Sequence, residues 1–101
     1  MIPYGKQTID DEDIQAVVET LKSDWLTTGP KIKEFENKFA SYVGAKYAVA
    51  VSSGTAALHL ACLAVDLKQG EELITSPMTF AASANCALYC GAKPIFVDIK
   101  K

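Results

Sequence analysis

The residues best suited to chemistry lie in one run, Ala48-Val49-Ala50-Val51-Ser52-Ser53-Gly54-Thr55-Ala56-Ala57-Leu58. A short apolar stretch of strand character gives way to a small, polar, glycine-containing turn, and a helix starts at once. Such a junction leaves backbone N–H groups without partners, and the helix dipole adds partial positive charge there, so it suits a phosphate. Gly54 lets the backbone approach an anion closely, and the hydroxyls of Ser53 and Thr55 can donate as well. Either hydroxyl can also simply cap the helix. The local chemistry describes a phosphate cradle without saying whose phosphate it holds.

The elements around that turn follow from hydrophobic periodicity. Ile14, Val17, Val18 and Leu21 fall at i, i+3, i+4 and i+7, which predicts a helix from about Asp11 to Lys22 with Asp10 as N-cap. Asp10 to Asp13 then set four acidic side chains at its positive end, a dipole complement rather than a metal site. A non-periodic loop, Ser23 to Pro30, carries the only tryptophan, Trp25. A second amphipathic helix follows, with Ile32, Phe35, Phe39 and Tyr42 on one face and Gly44 as C-cap. From Lys46 the pattern becomes strand, helix, strand, helix, strand. Strands are expected near Tyr47–Val51, Glu72–Thr75 and Pro94–Ile99, and helices near Thr55–Val65 and Thr79–Tyr89. That alternation indicates an α/β fold with a mostly parallel sheet and right-handed crossovers. The stretch Ala56–Val65 is apolar nearly all round, so both of its sides should be covered, by core or by a partner. Three strands with no helix after the last make an incomplete sheet, so the chain reads as the front part of a longer protein.

Composition narrows the function. The chain has 101 residues, half of them apolar, and ten Lys+Arg against twelve Asp+Glu give a net charge of −2. With no basic stripe, nucleic-acid binding has no support. No apolar run approaches the roughly 20 residues of a membrane helix. No signal peptide is recognised, so a cytoplasmic location is expected. Cys62, Cys86 and Cys90 are odd in number and follow no metal spacing, so they read as reduced core thiols, and no metal site is expected. Neither a Gly-x-x-x-x-Gly-Lys-Ser/Thr run nor a Gly-x-Gly-x-x-Gly after a strand is present, which argues against a mononucleotide or dinucleotide cradle.

An ordered set of landmarks runs through the chain: Ile2-Pro3-Tyr4-Gly5, Asp24-Trp25-Leu26-Thr27-Thr28-Gly29-Pro30, Phe35-Glu36, Tyr42-Val43-Gly44-Ala45-Lys46, Ser53-Gly54-Thr55-Ala56-Ala57-Leu58, Thr79-Phe80-Ala81-Ala82 and Gly91-Ala92-Lys93-Pro94. Together they resemble the N-terminal part of the DegT/DnrJ/EryC1/StrS sugar aminotransferases, which use pyridoxal 5'-phosphate (PLP). Within that family the resemblance is strongest to the pseudaminic-acid branch. The resemblance implies the large domain of the fold type I PLP transferases. Two N-terminal helices would precede β-α-β-α-β, with residues 1–45 a helical segment bearing a substrate-side loop and residues 46–101 the start of the cofactor-binding domain.

Carried over by position, the resemblance assigns the cofactor phosphate to the Ser53-Gly54-Thr55-Ala56 turn, through the Thr55 hydroxyl and backbone N–H groups. It places Phe80 against the cofactor ring. Tyr4, Asp24, Trp25, Leu26, Thr27 and Gly54 would contact a nucleotide-sugar substrate. Tyr4 and Trp25 offer apolar faces with polar tips for a sugar, although Trp25 could instead anchor its loop. His59, alone in an apolar helix, reads as a satisfied core or interface histidine. The resemblance to the pseudaminic-acid branch implies amination of C4 of a UDP-linked 4-keto-6-deoxy-N-acetylhexosamine, with glutamate as the expected donor and a homodimer as the working form.

No catalytic residue of that reaction is expected within the chain. In the family the Schiff-base lysine and the carboxylate facing the pyridine nitrogen both fall beyond position 101, and no lysine here stands in the corresponding motif. Asp98 reads as a strand-end or capping group. The isolated chain is therefore expected to be unstable and inactive, and the strand near Tyr47–Val51 to lack its neighbours. Two other readings remain at this stage. One is a dehydratase of the same family, in which histidine replaces that lysine. The other is a truncated segment acting only in packing or binding.

Overall fold

Asp10 opens the first helix, α1 (Asp11–Lys22), in extended backbone geometry. Its Oδ1 accepts the Asp13 N–H at 3.0 Å, and Asp13 Oδ2 accepts the Asp10 N–H at 3.2 Å. This reciprocal pair satisfies two end donors and places negative charge on the positive end of the dipole. The computed structural model describes residues 5–100, and the chain divides into two compact units, Met1–Ala50 and Val51–Lys101.

The first unit is helical. After α1, Pro30 occupies the first turn of α2 (Pro30–Val43), where its missing N–H costs nothing. Gly44 ends α2 at φ 70°, a left-handed position that suits glycine, and the Ala45 N–H closes back on Ala40 O at 2.9 Å. Ala40 is buried, and the Phe35 and Phe39 rings sit 5.8 Å apart. The apolar face of α1 forms as the periodicity predicts, yet Ile14, Val17 and Leu21 are all exposed.

The second unit holds α3 (Gly54–Ala64), β1 (Glu72–Thr75), α4 (Ala82–Tyr89) and β2 (Lys93–Phe96). The strands pair in parallel with Glu72 opposite Lys93 and Thr75 opposite Phe96. Hydrogen bonds from Lys93 N to Glu71 O at 2.9 Å and from Val97 N to Thr75 O at 3.0 Å close the two ends of the ladder. Helix α4 packs on both strands and on α3. The core between them is built from small side chains: Cys62, Ala82, Cys86, Ala87 and Ala92 are buried. The α/β class with a parallel sheet is therefore present, from an alternation readable in the sequence.

Three elements differ from expectation. Residues 47–51 form no strand: a ladder requires a second strand, and among the described residues none lies beside them. The described sheet accordingly has two strands, not three. Helix α4 starts at Ala82, not Thr79, because hydroxyls upstream bond locally instead. Ser76 Oγ accepts the Met78 N–H at 3.2 Å, and Thr79 Oγ1 lies 2.9 Å from Ser83 Oγ. The last strand is Lys93–Phe96, not Pro94–Ile99, since β1 offers only four residues to pair with. Beyond it Asp98 Oδ1 accepts the Ile99 N–H at 2.8 Å, a local cap. Helix α3 is covered on one side by α4, while Leu60, Leu63 and Val65 are exposed in the single chain, which leaves open the expectation of cover by core or by a partner.

Candidate functional site

Ser53 holds extended geometry (φ −163°, ψ 161°) immediately ahead of α3. Its Oγ accepts the Ala56 N–H at 3.1 Å, and its carbonyl accepts the Ala57 N–H at 3.0 Å. Ser53 thus caps the helix, and the Ala56 N–H assigned to phosphate is occupied by that cap in this structure. Among the described residues, the N–H groups of Gly54 and Thr55 and the Thr55 hydroxyl take no partner. No acidic side chain stands in the first turn of α3 to balance its dipole.

Gly54 sharpens the point. A Cβ built there would meet nothing within 4 Å, and its φ is not in the left-handed region. Neither crowding within the chain nor backbone conformation requires glycine at this position. With glycine here the end of α3 is bare, and its two amide donors are open to approach. A phosphate fits such a site: oriented N–H donors, a favourable dipole, a hydroxyl and open approach.

Phe80 lies in the segment between β1 and α4 and is exposed. In parallel α/β sheets, ligands bind outside the carboxyl ends of the strands. The segment after Thr75 occupies that position, and Phe80 within it is 71% exposed. The Cys62 thiol does not compete for a catalytic role. Burial, together with the adjacent Cys86 and Cys90 thiols, pushes the Cys62 thiol up to about 11, so it stays protonated at neutral pH. His59 is half-buried with its ring 5.3 Å from Tyr89, a packing role.

The first unit carries the other predicted residues. Tyr4 lies outside the described residues. Asp24, Trp25, Leu26 and Thr27 are all exposed on the loop between α1 and α2. Ser23 Oγ organises the start of the loop, donating to Thr20 O at 2.8 Å and accepting the Trp25 N–H at 3.2 Å. Thr28 adopts φ 48°. A Cβ on Gly29 would stand 2.7 Å from Trp25 Cβ, so glycine is required for the loop to fold against the start of α2. The Trp25 backbone and Cβ are therefore anchored, while the residue as a whole is 62% exposed. It borders an open pocket of about 510 Å³ with Thr28, Gly29, Pro30 and Lys33.

One residue with no assigned part stands out on α2. Glu36 Oε1 accepts the Ala50 N–H at 3.0 Å, and its Oε2 lies 3.6 Å from Lys33 Nζ. Periodicity cannot disclose a bond across fourteen positions. The only signal in the sequence is the Phe35-Glu36 landmark itself.

The chain belongs to the DegT/DnrJ/EryC1/StrS aminotransferase family, whose model matches residues 7–101. It is 53% identical over 98 residues to the spore coat polysaccharide biosynthesis protein SpsC of Bacillus subtilis, covering 97% of this chain and 25% of that protein. It is 48% identical over 100 residues to UDP-4-amino-4,6-dideoxy-N-acetyl-beta-L-altrosamine transaminase of Campylobacter jejuni, covering 99% of this chain and 26% of that enzyme. Among solved structures, Spr1654 of Streptococcus pneumoniae in its PLP form matches with a TM-score of 0.86 and 39% identity. That match covers 98% of this chain and 25% of the other. The chain thus spans about a quarter of the length of these relatives.

Proposed function

We propose that this chain is the cofactor-phosphate and sugar-contacting portion of a PLP-dependent nucleotide-sugar aminotransferase. The observation that carries the reading is the start of α3, where Gly54 and Thr55 offer unpartnered N–H groups and glycine keeps the approach clear. Family membership supports it, as does likeness to a protein solved in a PLP form. The name of the Campylobacter relative favours C4 of a UDP-4-keto-6-deoxy-N-acetylhexosamine as the acceptor, with glutamate as donor.

In this reading the Gly54 and Thr55 amides and the Thr55 hydroxyl bind the phosphate of PLP, with Ser53 and Ala56 shaping the turn. Phe80 packs against the cofactor ring and fixes its plane, worth on the order of 1 kcal/mol beyond area burial. Bound PLP would supply the electron sink that lets an amino group pass from donor to sugar. Tyr4, Asp24, Trp25, Leu26, Thr27 and Gly54 orient the nucleotide sugar. Residues 1–45 would form the substrate-side segment and residues 46–101 the start of the cofactor domain. The complete protein works as a homodimer in the cytoplasm.

The test is made on the complete protein. Addition of PLP should give a protein-bound absorbance band, and glutamate with the UDP-4-keto sugar should yield the amino sugar by mass spectrometry. Absence of both the band and amine transfer overturns the proposal. Light scattering should give twice the monomer mass, and a monomer at micromolar concentration would remove the dimer from it.

A further inference from the structure

Phe80 lies in an irregular segment between β1 and α4, yet one residue holds the backbone on both sides of it. The Ser83 N–H donates to Phe80 O at 3.0 Å. The Ser83 hydroxyl lies 2.9 Å from Thr79 Oγ1, reaching back to the residue just ahead of Phe80. Ser83 is itself well anchored. It is the second residue of α4, follows the buried Ala82, and its carbonyl accepts the thiol of the buried Cys86 at 3.3 Å. Helix α4 in turn packs on α3 and on both strands.

The hydroxyl pair does nothing for the start of α4 itself. The N-cap there is Ala81, which offers no side-chain cap, and among the described residues Thr79 is the hydrogen-bond partner of the Ser83 hydroxyl. What the pair does is tie the segment ahead of the helix to the helix. A face that is already in place costs a ligand less than one that must be ordered as the ligand binds. We infer that Ser83 is a positioning residue for the cofactor ring: its hydroxyl holds Thr79, its N–H holds Phe80, and the two together fix the point from which the phenyl ring projects. The inference rests on the reading of Phe80 as the residue packed against the PLP ring. It assigns Ser83 and Thr79 no contact with the cofactor.

The experiment uses the complete protein. Ser83→Ala removes the hydroxyl and keeps the N–H. Thr79→Val breaks the same pair from the other side with little change of shape, in case the first variant fails to fold. Thr79→Ser keeps the hydroxyl. Each is made alone and together with Phe80→Ala. Affinities for PLP and for pyridoxal, which lacks the phosphate, are measured by absorbance titration, and the induced circular dichroism of the bound cofactor is recorded. Phe80→Ala should weaken PLP and pyridoxal alike, about fivefold, because both carry the ring. Ser83→Ala and Thr79→Val should each weaken both about threefold and reduce the dichroism, while Thr79→Ser stays near wild type. In the Phe80→Ala background neither Ser83→Ala nor Thr79→Val should weaken binding further, since the ring through which they act is gone.

Losses that multiply with that of Phe80→Ala would reduce the pair to a general structural role and overturn the inference. So would unchanged affinity and dichroism in Ser83→Ala and Thr79→Val, or a loss in Thr79→Ser as deep as in Thr79→Val. A loss confined to PLP would move the effect to the phosphate and overturn it as well. If Phe80→Ala by itself left affinity and dichroism unchanged, the reading of Phe80 as the ring contact would fall, and with it the function assigned to Ser83.

Discussion

Two helix starts in this chain solve the same electrostatic problem in opposite ways. At α1, Asp10 and Asp13 exchange hydrogen bonds, and Asp11 and Glu12 add further negative charge to the first turn. Its positive end is answered from within. At α3, Ser53 caps the Ala56 N–H, but no acid follows, and the Gly54 and Thr55 amides stay free among the described residues. Its positive end is left unanswered, at a glycine that neither packing nor backbone conformation demands. The first is the pattern of a helix start that only needs to be stable; the second is the pattern that the proposed phosphate site requires.

The largest effect should come from closing the open start. In the complete protein, Gly54→Leu combined with Thr55→Val fills the approach and removes the hydroxyl. PLP affinity should fall about a hundredfold while pyridoxal affinity holds, measured by titration of the cofactor absorbance. Unchanged PLP affinity would misplace the anchor. A subtler change makes α3 resemble α1. Gly54→Asp places a carboxylate in the first turn, where the Cβ has free space. The helix should gain about 0.3–1 kcal/mol in thermal denaturation, while PLP weakens about tenfold through like-charge repulsion. A gain in stability without a loss in affinity would mean that the phosphate binds elsewhere.

This contrast was partly legible before any coordinates. The α1 limits and its Asp10 cap follow from apolar spacing and one acidic residue, because both signals are local. The Ser53-Gly54-Thr55 turn was legible for the same reason, as was the four-residue span of β1. Tyr47–Val51 reads as strand in the sequence with the added expectation that its neighbours are missing, and among the described residues it forms no ladder. The apolar character of α3 was legible too, and it announces a need for cover, by core or by a partner, without saying which supplies it: α4 covers one side here and Leu60 and Leu63 stay exposed. At α4 the Thr79–Ser83 hydroxyl pair overrode periodicity by three residues. The Glu36–Ala50 bond was hidden altogether, because contacts across fourteen positions leave no period in the sequence.

Smaller effects separate capping from binding. Asp10→Ala and Ser53→Ala should each cost about 1 kcal/mol of stability, since each removes one cap acceptor. Thermal melts should place the two close together. Their consequences for PLP should differ from those of Gly54→Asp: Asp10→Ala should leave affinity unchanged, and Ser53→Ala should alter it less than the introduced carboxylate does. A collapse of PLP binding in Ser53→Ala would make the cap itself the phosphate ligand and erase the distinction between the two starts.

The smallest effect concerns a third helix start, that of α2, which follows neither strategy. It begins with Gly29 and no side-chain cap, has no acid in its first turn, and carries Lys31 and Lys33 near its positive end. The mismatch is offset further along by Glu34, whose carboxylate meets Lys38 at 2.7 Å and Lys31 at 3.0 Å. Hydrogen bonds from Lys38 and then Lys31 lower its pKa from 4.5 to about 2. Because the folded value lies below the unfolded one, this pairing contributes fully above about 4.5 and is lost as pH falls through about 2. All three side chains are exposed, so solvent and salt screen the interaction and its contribution stays small. Glu34→Gln should lower the thermal midpoint slightly at pH 6 in low salt. The gap should narrow as pH drops from 4.5 to 2, and at pH 6 it should shrink when salt is added. A gap that persists at pH 2 would show that Glu34 acts through packing, and that α2 tolerates an unbalanced positive end without it.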